Sequence, residues 1–178
     1  MSALRWSITA MSDTTGRLPR VRAVNRPRAF AVIGEAVWWV TIVDATLVRH
    51  HPEAYDAVMA GQSGPWQQLI EGTLAGLRFV RNRIGDEADL ADFIDPRRAG
   101  SGAGEVRITG WRWRPVPEPG LASLPSRGQA WELTRYRAYQ AYLSGHNIAE
   151  RFGQAAEFLK LASAATPETT GISARAVR

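Results

Sequence analysis

The sequence predicts a mainly α protein, an antiparallel bundle of four to five helices with a small β insertion around residues 105–116. Three observations lead there. Apolar residues recur at three- and four-residue spacing over 28–49, 65–84 and 148–164. Helix-starting residues, Asn25 with Pro27, then Pro65, then Asn147, stand ahead of those stretches. The apolar period shortens to two within 105–116.

Residues 1–25 mix Ser, Thr, Gly and Arg without helical periodicity and are expected to form a flexible arm. Within it Leu4, Trp6 and Ile8 alternate, which suits a short strand; alternatively, Met11 is the true start. A single helical domain is expected over 26–165, with the insertion occupying about 100–127.

Its first helix spans 28–49, capped by Asn25, with Ile33, Val37, Val40, Thr41, Leu47 and Val48 on one face and Trp38, Ile42 and Ala45 beside them. Asp44 falls inside this stripe. A carboxylate facing a core needs a partner, and Arg81 on another helix is the candidate for a structural pair. His50, His51 and Pro52 end the helix, and 53–60 forms a short second one with Tyr55, Val58 and Met59 as its apolar side.

Pro65 opens a third helix, in which Trp66, Ile70, Thr73, Leu74, Leu77, Arg81 and Ile84 share a face and Gly85 is the stop. Gly72 and Gly76, four apart, leave room for another helix to come close. The acidic segment 86–95 carries Leu90, Phe93 and Ile94, enough for a short helix, and a Ser/Gly-rich link follows Pro96. In the β stretch Val106 and Ile108 take one side but Trp111 and Trp113 the other, so a bulge is expected at Gly110. Either 4–9 or the second half of the insertion is the expected strand partner. A helix over 129–143 with Trp131, Tyr136, Tyr139, Tyr142 and Leu143 follows, ended by Gly145. The last, over 148–164, carries Ile148, Phe152, Ala155, Ala156, Leu159 and Ala162, and residues 166–178 read as a disordered tail.

Of 178 residues, 22 are basic and 17 acidic, a net charge of +5, and Lys160 is the single lysine. Arginine suits bidentate contacts to phosphate or carboxylate, although a GC-rich genome produces the same bias. The absence of cysteine excludes disulfides, thiolate metal sites and a cysteine nucleophile, and fits a reducing interior. The longest apolar run, 36–43, is far short of a membrane span. A cytoplasmic protein without membrane contact is expected. His50 and His51 are adjacent and His146 is in a different loop, so no metal is expected, and no cofactor fingerprint is present. Gly100, Gly102 and Gly104 alternate outside any strand–turn–helix frame.

Two constellations bear on function. Trp111, Arg112, Trp113 and Arg114 interleave aromatic and basic groups, able to stack on bases and contact phosphates, or to close the core with the tryptophans while the arginines face water. The other is Arg78, Arg81, Asn82 and Arg83 near the end of the third helix, where cations are favoured.

Arg81–Asn82 in a helical chain of this order resembles the HEPN superfamily of RNA-acting helical domains. Its motif is an arginine followed by a polar residue and then, after a spacer of four to six residues from the arginine, a histidine. This chain has Asp86, Glu87 and Ala88 near the place for that histidine. In active members, the resemblance implies, two subunits of a homodimer line a cleft in which a ribose 2′-hydroxyl attacks the phosphate. Arginine would steady the phosphate charge and histidine would move protons. An aspartate repels phosphate and lacks the proton of a general acid at neutral pH.

The expected function is therefore a HEPN-like, non-catalytic domain. It would bind RNA or a partner protein through an arginine-bearing cleft, with Arg78, Arg81, Arg83, Trp111, Arg112, Trp113 and Arg114 as RNA-contacting residues. The enzyme alternative is a metal-independent endoribonuclease of toxin or phage-defence type, with Arg81, Asn82 and Asp86 as catalytic candidates or His146 brought in from elsewhere. The third reading is an adaptor that docks through the Trp-rich insertion.

Overall fold

A computed structural model describes residues 3–21, 25–86, 90–100, 106–118 and 126–167. The chain is mainly helical with one two-stranded antiparallel hairpin, as expected from the sequence. Six α-helices are described: α1 (Ala3–Arg17), α2 (Arg26–His50), α3 (Pro52–Ala60), α4 (Gly64–Asp86), α5 (Ser126–Ala138) and α6 (Ile148–Ala164). The strands β1 (Ile94–Gly100) and β2 (Val106–Trp113) lie between α4 and α5.

The N-terminal segment corrects the expectation of a flexible arm or strand. It is helix α1, packed on α2 and α6, with Leu4, Met11 and, just beyond its end, Leu18 buried at seven-residue intervals. The many hydroxyl residues masked this period. Ser7, Thr9, Ser12, Thr14 and Thr15 each donate to the carbonyl four residues back, so their polar groups are met within the helix itself. At the other end, Thr166 is buried rather than loose, and its hydroxyl donates to the Ser163 carbonyl at 2.9 Å. The rest of the expected tail, 168–178, lies outside the described residues.

Asn25 and Asn147 cap α2 and α6 as their positions predict, accepting from the amides of Arg28 and Glu150. By length and composition α2 is apolar enough to cross a membrane, and half of its most apolar window is buried against the other helices. Three residues expected in the apolar faces are exposed instead: Trp38, Val48 and Trp131.

Helix α4 packs against α2, α5 and α6. Packing on several sides buries Ile70, Thr73, Leu74, Leu77, Phe79 and Val80, a wider face than the single stripe read from the sequence. Gly72 and Gly76 bring it close to the continuation of α5, where Tyr139–Leu143 widen into a π turn. A Cβ at position 72 would sit 2.1 Å from the Tyr142 ring, and one at 76 would meet Leu143 at 2.9 Å.

The partner of β2 is Ile94–Gly100, not residues 4–9. Of the short helix expected over 86–95, the described residues from Leu90 onward form a 3₁₀ turn at Leu90–Asp92 instead, and the strand then runs through Pro96, which an edge strand tolerates. The bulge falls where the change of face requires it. Arg97 pairs with Gly110 but Arg98 with Ile108, and Gly110 has φ +147°. Trp111 and Trp113 are thereby both buried, Trp113 against Tyr139 and Phe152 at ring distances of 6.2 and 5.9 Å. Two backbone bonds, from Trp113 N–H to His146 and from Gly145 N–H to Trp113, join β2 to the turn before α6.

Gly72→Ala is expected to lower stability by about 1–3 kcal/mol, the usual cost of overpacking. Gly153→Ala, in α6 with open space at the Cβ position, is expected to raise it by roughly 0.5–1 kcal/mol. Urea unfolding of both variants checks the opposite signs.

Candidate functional site

The four residues singled out near the end of α4 go to different places. Asp44 is fully buried on α2, and its partner is Arg78, not Arg81: the Arg78 Nε and Nη2 atoms both lie 2.5 Å from Asp44 Oδ2. Tyr55 on α3 donates its hydroxyl to the other carboxylate oxygen at 3.2 Å. Helices α2 and α4 run antiparallel, and this register sets position 78 opposite 44. Arg81 lies nearly a turn further on.

Burial favours the neutral forms of both partners of that carboxylate. It lowers the Arg78 pKa, but the hydrogen bond and charge of Asp44 outweigh it and leave the guanidinium above its ordinary value. For Tyr55, burial and then the Asp44 charge push the phenol far above its ordinary value, so it remains a donor. The Tyr55 ring meets Phe158 edge-on at 5.0 Å, which ties the cluster to α6.

Arg81 lies over the ring of Trp38, its guanidinium carbon 4.8 Å from the ring centroid. Trp38 is 51% exposed, so this cation–aromatic pair is open to solvent. Asn82 turns the other way, its Nδ2 3.4 Å from Glu132 Oε2 on α5; Glu132 also lies 3.8 Å from Arg135. Arg81 and Asn82 therefore face different helices and do not converge within the chain. Arg83 is partly buried and has contacts of its own. The side chain of Asp86, the third catalytic candidate, lies outside the described residues, as do residues 87–89.

The hairpin resolves the interleaved Trp–Arg run. Trp111 is 5% and Trp113 0% exposed, so neither offers a face for stacking on a base. Arg114 holds Asp95 Oδ1 through Nε and Nη2, and Arg112 reaches the same carboxylate at 3.9 Å. The tryptophans close the core while the arginines face water. An adaptor role through these indoles is left without a surface.

His146 sits on the Gly72 side of α4, because Tyr142 packs at Gly72 while Glu132 meets Asn82. That is nine residues, about 13 Å of helix, from Arg81. Its Nδ1 is 2.8 Å from Arg151 Nη2, and a guanidinium only donates, so Nδ1 accepts and the proton is on Nε2. Arg151 is itself fixed by the Tyr142 carbonyl and Gln154. Burial, then the Arg151 charge, lowers the His146 pKa below its ordinary 6.5. Among the described residues, no group of three or more His, Cys, Asp or Glu side chains is placed to hold a metal.

The sequence offered one signal for each arrangement that it misassigned. Arg78 follows Leu74 by four and so edges the buried face, and Trp38 stands about two turns ahead of Asp44 on the same helix. Only the antiparallel register of α2 and α4 matches Arg78 to Asp44 and Arg81 to Trp38.

Asp44→Ala is expected to cost about 3 kcal/mol, the lower end for a broken buried pair, because the Arg78 side chain remains 35% exposed and can be solvated. Arg81→Ala is expected to cost about 0.5–1 kcal/mol. Equal losses in denaturant unfolding would contradict this assignment of partners. For His146, the folded pKa is below the unfolded one, so its contribution is fully present above pH 6.5 and is lost as pH falls through the folded value. His146→Gln should flatten the fall in thermal midpoint below pH 6.5, and an unchanged pH profile would contradict that linkage. Comparison with protein families, curated proteins and solved structures finds no match.

Proposed function

We propose that this chain is a non-catalytic RNA-binding helical domain whose contact surface is centred on Trp38 and Arg81. The observation that carries the reading is an indole, half exposed on α2, with a guanidinium resting on its ring. Arg81 leaves the ring partly accessible to an unstacked base, and its own charge can reach the neighbouring phosphate. The net charge of +5 favours a polyanion in general terms.

This reading keeps the arginine-centred binding surface implied by the HEPN resemblance, and shifts its partner from Asn82 to Trp38. Arg78 supports the surface from below, since its bond to Asp44 holds the antiparallel register in which Arg81 meets Trp38. Catalysis is not part of the proposal. The motif's histidine is missing, Asn82 faces α5, and His146 is committed to Arg151.

The test is titration of a fluorescent, unstructured oligoribonucleotide at several salt concentrations. Trp38→Ala is expected to weaken binding by about 1–3 kcal/mol at every salt concentration, the worth of one stacked base. Arg81→Ala should reduce the slope of log K against log salt by about 0.7, one phosphate contact on a single strand. Trp131→Ala, which removes another exposed indole, should change neither. Binding unaffected by both Trp38→Ala and Arg81→Ala would sink the proposal, as would no binding at low salt.

A further inference from the structure

Trp6 on α1 is 68% exposed, the most open of the large apolar side chains among the described residues. Its place beside α2 follows from two contacts. Arg17 holds Glu35 at 2.6 Å, and Val21, four residues on, shares a cavity wall with Ile33. As α1 advances, its neighbours on α2 fall in number, so the two helices run antiparallel. Trp6 stands eleven residues before Arg17, three turns back and within about 20° of the same face. Eleven residues past Glu35 is Thr46, so Trp6 lies level with Thr46 along the outer edge of α2.

The outer face of α2 runs from Trp38 through Ile42 and Ala45 to Arg49 at three- and four-residue spacing, each residue at least partly exposed. Trp6 and Trp38 thus flank one surface, separated by about 12 Å along α2 and 8–10 Å across to α1, roughly 15 Å in all. Arg49 is exposed and, among the described residues, makes no ion pair. The carboxylates of the α1–α2 face are Glu35, which Arg17 neutralises, and the exposed Asp13.

We infer, building on the RNA contact proposed at Trp38 and Arg81, that the surface continues across α2 to Trp6 and takes an unpaired strand of about four nucleotides. One base stacks on Trp38 and a second on Trp6. Ile42 and Ala45 form the floor between them, and the phosphates pass Arg81 and Arg49. Charge selects this occupant over an apolar protein face. Each indole has an arginine without a carboxylate close by, Arg81 on the Trp38 ring and Arg49 one turn beyond the level of Trp6. That pairing of ring and free cation matches a phosphodiester strand.

The probes are fluorescein-labelled oligouridylates of two, four and eight nucleotides, titrated into the full chain. Affinity should rise about tenfold from two nucleotides to four, as the second base reaches Trp6. Trp6→Ala should cost the two longer probes about tenfold and the dinucleotide no more than about twofold. Arg49→Ala should lower the slope of log K against log salt by about 0.7 for the longer probes. Trp38→Ala and Arg81→Ala report separately on the underlying contact. If those two weaken binding while Trp6→Ala and Arg49→Ala leave it unchanged, the strand ends at Trp38 and the extension alone fails. No binding of any probe at low salt overturns both. A concentration-dependent dimer in sedimentation equilibrium that Trp6→Ala disrupts would give the face to a second copy of the chain and overturn the strand path.

Discussion

The carboxylate of Asp44 has no contact with solvent, and the arrangement of the first half of the bundle follows from that. A charge taken out of water costs several kcal/mol unless its lone pairs are met. Here Arg78 from α4 holds one oxygen and Tyr55 from α3 the other, so two helices are tied to one group on α2. Hydrophobic faces alone would tolerate some sliding of α4 along α2. A slide of one turn that set Leu74 or Ala75 opposite Asp44 would strip the carboxylate of its charged donor, so the pair disfavours a shift of register that apolar contacts would tolerate. The Arg81–Trp38 contact is a consequence of that register, one step further along the same helix pair.

The second half of the bundle is fixed by shape. Gly72 and Gly76 let the π turn of Tyr139–Leu143 lie directly on α4. That approach puts Tyr139 within about 6 Å of Phe79, Phe93 and Trp113, with each neighbouring ring tilted or edge-on. The Tyr139 hydroxyl then donates to the Arg114 carbonyl, and the Gln140 amide to Val116, so one turn of helix holds both the rings and the exit of β2. A two-stranded hairpin has little stability by itself. This one is held by two buried tryptophans and by backbone bonds to the turn before α6.

What was legible in the sequence was local. Asn25, Pro27, Pro65 and Asn147 mark helix starts by chemistry that acts within one turn, and Gly110 marks a bulge because two tryptophans must change face within a strand. Spacing also gave Gly72 and Gly76 as a place of close approach. What could not be read depends on how helices meet. Leu77 and Arg81 are four apart and read as one face, yet α4 is packed on several sides, and Arg78 is the residue that faces Asp44. Helix α1 was missed for a different reason: its hydroxyls bond to its own carbonyls, and their polarity hid the spacing of Leu4 and Met11. The pairing of β2 with Ile94–Gly100 was hidden by Pro96.

Composition invites a reading in which a net charge of +5 makes the whole surface a binding face, and the structure distributes the charge otherwise. Arg17 is held by Glu35, Arg78 by Asp44, Arg112 and Arg114 by Asp95, and Arg135 by Glu132. Apart from the buried Arg78–Asp44 pair, these are exposed pairs that contribute little to stability, but each cation in them already has a carboxylate beside it, which weakens its field toward a phosphate. Arg81 differs in being set against a ring, which supplies a face and no compensating negative charge. A guanidinium in that setting can approach a phosphate without first giving up an ion pair. Among the described arginines, the partner of each one thus decides how readily it can meet an anion, and by that measure Arg81 is better placed than Arg112 and Arg114 to approach a phosphate.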